Sequence, residues 1–140
     1  MAVSSGCKDF DRFFGGFEKG GISLIYGVAA TGKTTLGMLA ACEEAKSKRV
    51  FFVDTEGGFS VDRVKQICGE DAERILENIF VLKAEDFDDQ ENKINMLVNL
   101  IGRVNCDLIV LDTLGMHYRK KLKEDYHKLV NARVRRMMDN

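Results

Sequence analysis

Residues 27–34 read Gly-Val-Ala-Ala-Thr-Gly-Lys-Thr and fill every fixed position of the pattern G-x-x-x-x-G-K-[ST]. The glycines let the backbone curl so that successive N–H groups point inward, which makes a concave anion site. The pattern needs an apolar strand before it and a helix after it. Ile22-Ser23-Leu24-Ile25-Tyr26 reads as that strand, and Thr34 to Lys46 as that helix, whose positive end adds to the site. Lys33 is placed to reach the β- and γ-phosphates of a nucleotide, and the Thr34 hydroxyl to ligate Mg²⁺, a cation that prefers oxygen. The nucleotide-binding stretch is therefore Gly27, Val28, Ala29, Ala30, Thr31, Gly32, Lys33, Thr34 and Thr35, with Thr35 read first as a helix-start residue.

The same alternation continues along the chain. Val50–Asp54, Ile79–Leu82 and Leu108–Leu111 are short, nearly all apolar runs, as strands covered on both faces of a parallel sheet would be. Helical patterns lie between them. Ser60 is a natural N-cap for a helix to Cys68, with Val61, Val64 and Ile67 at helical spacing. Asp88 to Val104 carries Ile94, Leu97, Val98 and Ile101 on one stripe, and Asp88, Asp89 and Glu91 at its positive end. Lys121 to Met138 carries Leu129, Val130, Val134, Met137 and Met138. Strand and helix in alternation predict an α/β fold with a doubly wound, mostly parallel sheet. The 140 residues make one domain, with no separate second domain.

Composition excludes other classes. The chain is 45% hydrophobic with a net charge of −1, so it buries too much apolar surface to be disordered. Its longest low-charge stretch, Gly20 to Ala41, is broken by Lys33 and rich in Gly and Thr, so no membrane span is expected. The N-terminus lacks a basic region followed by an apolar run, which predicts a cytoplasmic protein. Cys7, Cys42, Cys68 and Cys106 form no C-x-x-C pair and read as reduced, mostly buried thiols. There is no proline, so bends fall to the 13 glycines.

Two acids complete the site. Asp112 ends an apolar strand, where a phosphate loop needs a carboxylate beside its metal. Glu56 follows the second strand and is placed to orient and deprotonate a water molecule, while Asp54 reads as a strand-end hydrogen-bonding residue. Ligands of open α/β sheets lie off the C-terminal strand ends, so Glu56 and Asp112 should converge on the phosphate loop. His117 and His127 read as solvated.

Charge is uneven: Tyr118–Asn140 carries +5 and the first 117 residues −6. The run from His117 to Lys123, with Arg119, Lys120, Lys121 and Lys123, is a candidate contact to DNA phosphates, against a plain solvated helix face. Only Tyr118 and Tyr126 interleave with it, so base stacking is little indicated.

These residues together resemble the RecA/RadA recombinase ATPases, and most of all their archaeal RadB branch. Ser5-Gly6-Cys7-Lys8 with Phe10-Asp11 and Phe14-Gly15-Gly16 is similar to the family's opening segment. Val53-Asp54-Thr55-Glu56-Gly57-Gly58-Phe59-Ser60 with Arg63 resembles its V-D-T-E-G-G-F-S-P-E-R block, with Val61 and Asp62 in place of Pro and Glu. Leu111 to Arg119, ending His-Tyr-Arg, resembles its D-S-[IV]-T-A-H-Y-R segment. The likeness spans about residues 4 to 120. It implies a three-layer RecA-like core, with ATP and Mg²⁺ as cofactors. Glu56 would be the catalytic glutamate, Lys33 and Thr34 the phosphate and Mg²⁺ ligands, Asp112 the metal-side aspartate, and Arg63 the arginine that packs on adenine. It also implies DNA repair and recombination, with feeble ATP hydrolysis, binding to single-stranded or branched DNA and no strand exchange of the protein's own.

The family's cores run longer. They place one more strand between the phosphate-loop strand and the Asp112 strand, so this chain is expected to lack C-terminal strands, as a truncated product would. Its face of Leu129, Val130, Val134 and Met137 should be half covered. A homo-oligomer, or another chain completing the sheet, is one consequence; a recombinase or nuclease partner is another. The alternative function is a non-hydrolysing, nucleotide-dependent regulatory module for a recombinase. A small-molecule kinase is a third, disfavoured because Lys83–Asp89 is acidic where a lid would need arginines.

Overall fold

The computed structural model describes residues 2–124 and 127–139. Its centre is β3 (Arg49–Asp54), flanked in parallel by β4 (Ile79–Lys83) and β5 (Cys106–Asp112) in the order β4-β3-β5. Val50, Phe51, Phe52 and Val53 are all buried, because a central strand is covered on both faces. Side-chain alternation then sorts them. Val50 and Phe52 pack with Met38, Ala41 and Cys42 of α2 (Lys33–Glu44), Val64 of α3 (Val61–Cys68) and Ile75 of α4 (Ala72–Leu76). Phe51 and Val53 pack on the opposite face with Leu97 of α5 (Phe87–Ile101). Fully burying a side chain such as Phe52 is worth about 1.5–3 kcal/mol. Beyond α5, helices α6 (Gly115–Glu124) and α7 (His127–Asp139) add a third cluster of Phe87, Val130 and Met137.

Helix starts follow side-chain chemistry. The Ser60 hydroxyl accepts the Arg63 N–H at 3.3 Å, and Asp86 caps α5 by accepting the Asp89 N–H at 2.8 Å. Helix α2 lies close under β5, since a methyl group on Gly37 would sit 3.2 Å from Val110.

Several expectations are corrected. Ile22–Tyr26 is not a strand: Ile22, Leu24 and Tyr26 are 63, 68 and 86% exposed, and β5 is the edge of the sheet on that side. Apolar composition makes a strand only when a neighbour takes its backbone hydrogen bonds. Strand β4 is only partly covered on each face: Phe80 and Val81, which point to opposite sides, are each 43% exposed, because β4 forms the other edge. The face of Leu129, Val130, Val134 and Met137 is half covered, as expected: Val130 and Met137 are buried against α5, whereas Leu129 is exposed. His117 is buried, with Nε2 2.7 Å from the Ala84 carbonyl, because α6 turns it inward. His127 is exposed, and Tyr126 lies outside the described residues.

The opening segment holds an unforeseen helix, α1 (Lys8–Phe14), inside a small antiparallel pair of β1 (Ala2–Val3) and β2 (Phe17–Glu18). All four cysteines are free; Cys42 and Cys106 are buried, Cys7 and Cys68 half-buried. Burial, with a contact from Cys68, pushes the Cys42 thiol up to about 12. Among the described residues no helix is long and apolar enough to cross a membrane.

Candidate functional site

The phosphate loop is an exposed turn from Gly27 to Gly32 that opens α2. Gly32 takes φ +91° and Ala30 φ +59°, the left-handed region in which a chain turns its N–H groups inward. Thr31 Oγ1 donates to the Val28 carbonyl at 2.7 Å and braces the turn. Lys33 Nζ donates to the carbonyls of Gly27 at 3.0 Å and Val28 at 2.7 Å, so its ammonium is folded back across the loop.

Next to the loop stands Asp112, buried at the end of β5. Its carboxylate lies beside the Thr34 side chain. Gly58 adjoins both: a methyl group there would lie 3.5 Å from Asp112 Oδ2 and 3.5 Å from Thr34 Cγ2. Burial raises the Asp112 carboxyl above the ordinary range, and the charges of Glu56 and Asp54 raise it further, against the Thr34 side chain and Lys33. A raised acid holds its proton more tightly in the fold than in the unfolded chain. Its stabilising contribution is therefore present below the ordinary carboxylate range and is lost as pH climbs through the raised value. Asp112→Asn should accordingly raise the melting temperature at neutral pH and flatten its pH dependence. It should also weaken Mg²⁺-dependent nucleotide binding by about 10–100-fold. Thermal melts across pH and calorimetry check both.

Asp54 organises the segment after β3. Its Oδ1 accepts N–H groups from Glu56 (3.2 Å), Gly57 (2.8 Å) and Gly58 (3.1 Å), and its Oδ2 that of Phe59 (3.0 Å). The strand-end role read from sequence is thus a carboxylate ringed by four amides. Asn in its place has one acceptor oxygen, so Asp54→Asn should cost about 1.5–3 kcal/mol, read from the urea midpoint. Exchange of the amides of residues 56–59 should accelerate with it.

Glu56 is exposed, and Thr113 Oγ1 donates to its Oε1 at 3.4 Å. Thr55 locks the two strand ends together: its hydroxyl donates to the Thr113 carbonyl at 2.9 Å and accepts the Thr113 N–H at 2.7 Å. Sequence reading missed Thr55, since nothing local marks a residue whose partner is 58 positions away. Arg63 Nη1 donates to Thr35 Oγ1 at 2.8 Å, tying α3 to the start of α2. Lys33, Thr34, Asp112 and Glu56 thus gather at the C-terminal end of β3 and β5, while Arg63 reaches the same helix start from the side.

This donor set fits a magnesium-bearing triphosphate. Asp54, Glu56 and Asp112 bring carboxylates and Lys33 one ammonium, and the oxygens of Thr34 and Asp112 suit a hard cation. Among the described residues no cluster of three or more His, Cys, Asp or Glu side chains could hold a metal alone. Mg²⁺ takes most of its ligands from substrate phosphates and water.

The basic segment is only partly free. Arg119, Lys120 and Lys123 are exposed on α6. Lys121 lies 3.7 Å from Asp88, and Arg133 bonds both Asp88 and Glu91 and stacks over Phe87. Arg133 and Lys121 hold the Asp88 carboxyl below its ordinary value. Part of the +5 excess is therefore spent on the acidic start of α5.

The Rad51 family profile matches residues 1–132. The DNA repair and recombination protein RadB of Methanocaldococcus jannaschii is 36% identical over 126 residues, covering 90% of this chain and 58% of that protein. RadB of Methanococcoides burtonii is 35% identical over 138 residues, covering 97% and 59%. RadB of Pyrococcus abyssi is 36% identical over 134 residues, covering 92% and 57%. A crystal structure of the RadB recombinase superposes with a TM-score of 0.79 at 31% identity, covering 97% of this chain and 62% of that one. The chain thus spans less than three-fifths of the length of these three curated relatives.

Proposed function

The chain belongs to the Rad51/RecA family, and from that premise we propose that it is an ATP-binding, weakly ATP-hydrolysing protein of DNA repair and recombination. The observation that carries this reading is the gathering of Lys33, Thr34, Asp112 and Glu56 around one loop. The loop amides and Lys33 hold the phosphates, Lys33 exchanging its carbonyl partners for phosphate oxygens. Thr34 and Asp112 hold Mg²⁺, which when bound offsets charge on the β- and γ-phosphates. Glu56 orients the attacking water and takes its proton. Arg63 flanks the nucleotide base. Gly57 and Gly58 let the Glu56 segment move as the phosphates change.

Single-stranded or branched DNA is the proposed macromolecular ligand, met by Arg119, Lys120 and Lys123, with Lys121 joining when it leaves Asp88. Three phosphate contacts predict that log K for single-stranded DNA falls with log salt at a slope of about −2, and that Lys120→Ala lowers the slope by about 0.7. Fluorescence anisotropy at several salt concentrations measures both, and a slope near zero counts against this surface. A recombinase or nuclease partner, and self-association, belong to the same proposal.

A second reading has its own observation. Glu56 is exposed, and the segment before the phosphate loop pairs with no strand among the described residues. Such a site suits a module that binds nucleotide without hydrolysing it, and so controls docking to a recombinase.

A further inference from the structure

Two of the four thiols share one face of the sheet. Cys42, in the last turn of α2, and Cys68, the final residue of α3, pack in the cluster of Val50 and Phe52, and Cys68 touches Cys42. Cys106 belongs to the cluster on the opposite face, and Cys7 precedes α1. Helices α2 and α3 lie side by side. Near their starts Arg63 Nη1 donates to Thr35 Oγ1 at 2.8 Å, and the two sulfurs meet further along both helices. Cys42 lies nine residues past Lys33, about 13 Å along the helix axis, so the sulfur pair stands clear of the phosphate loop.

The two thiols differ in access. Cys42 is 2% exposed, whereas Cys68 is half-buried and followed by Gly69, where an added methyl group would meet nothing within 4 Å. A small molecule therefore reaches Cys68 and not Cys42. The Lys46 ammonium, 2.6 Å from Glu43, stands near both sulfurs and offsets negative charge that forms there. Asp71 lies near the same ammonium, its own charge met by Arg74 at 3.3 Å.

We propose that Cys42 and Cys68 are a reversible oxidation site, at which a small-molecule disulfide is reduced and the two cysteines are joined, stapling α3 to α2.

Cys68 acts first, because it is the accessible sulfur and burial keeps the proton on Cys42. It releases its proton to water, and its thiolate attacks one sulfur of the small disulfide. That S–S bond breaks, a mixed disulfide forms on Cys68, and the leaving thiolate takes up a proton. Capping Cys68 removes the charge that opposes ionisation of Cys42. Cys42 then gives up its proton and attacks the Cys68 sulfur, expelling the second small thiolate, which is protonated in turn. The two protein thiols lose two electrons and two protons, and one small disulfide becomes two thiols. The closed ring spans residues 42–68 and so holds β3, Glu56 and Arg63. The proposal stands apart from nucleotide binding, since no group of the phosphate loop takes part.

The test is equilibration of the reduced chain with oxidised and reduced glutathione over a range of ratios, followed by alkylation and mass spectrometry of intact and digested protein. The expected product has lost two hydrogens, carries its bond between the peptides of Cys42 and Cys68, and returns to the reduced form in excess thiol. It should melt about 5–10 °C above the reduced chain, and the amides of residues 61–68 should exchange more slowly. Cys42→Ala should stop at one glutathione on Cys68, and Cys68→Ser should leave Cys42 free. Cys7→Ser should behave as the unaltered chain does. Three outcomes overturn the proposal: both thiols alkylated at every ratio, glutathione retained on Cys68 of the unaltered chain, or a bond to Cys7 or Cys106 instead. All three are read on the unaltered chain, so a variant that fails to fold does not blunt the test. Calorimetric ATP binding by the reduced chain is read separately, so failure here leaves the nucleotide reading standing.

Discussion

Lys33→Ala should leave the chain folded and take most of its ATP affinity away. The ammonium bonds only two carbonyls of an exposed loop, so its loss should move stability by less than about 1 kcal/mol. Against a phosphate it makes charge-assisted hydrogen bonds worth about 1.5–3 kcal/mol, a fall in affinity of about 10–100-fold. In the transition state, where charge develops on the transferring group, losing one such donor costs about 10²–10³ in rate. Calorimetry with Mg-ATP, beside a thermal melt, separates loss of site from loss of fold. Unchanged binding by the variant would remove the phosphate loop from the proposal.

Glu56→Gln should abolish hydrolysis and spare binding. Glutamine keeps the shape of the side chain and an oxygen for the Thr113 hydroxyl, but it takes no proton from water. A positioned general base contributes about 10²–10⁴ in rate, so single-turnover hydrolysis should fall by that factor while nucleotide affinity changes little. Glu56 is exposed and outside the core, so the fold should be indifferent to the change. Equal rates for the two proteins would leave the non-hydrolysing regulatory module as the better reading. The two substitutions thus divide the problem, one asking whether nucleotide is held at this loop and the other whether it is cleaved by this carboxylate.

What the sequence by itself determined is what neighbouring residues decide among themselves. The phosphate-loop pattern, the apolar runs that became β3, β4 and β5, the Ser60 cap and the carboxylates placed just past two strands were all legible. Period, cap and turn chemistry act over a few residues. The tertiary structure decided the rest, because the forces involved join residues far apart in the chain. Ile22–Tyr26 has a strand's composition, but among the described residues it pairs with no strand, and Ile22, Leu24 and Tyr26 stay exposed. His117 sits in a basic run yet is buried against the Ala84 carbonyl, 33 residues earlier. Arg133 belongs to the same basic segment, yet its charge is matched by acids more than 40 residues before it. A strand, a buried imidazole and a matched charge each need a second group to complete their hydrogen bonds or offset their desolvation, and only the folded chain brings that group near.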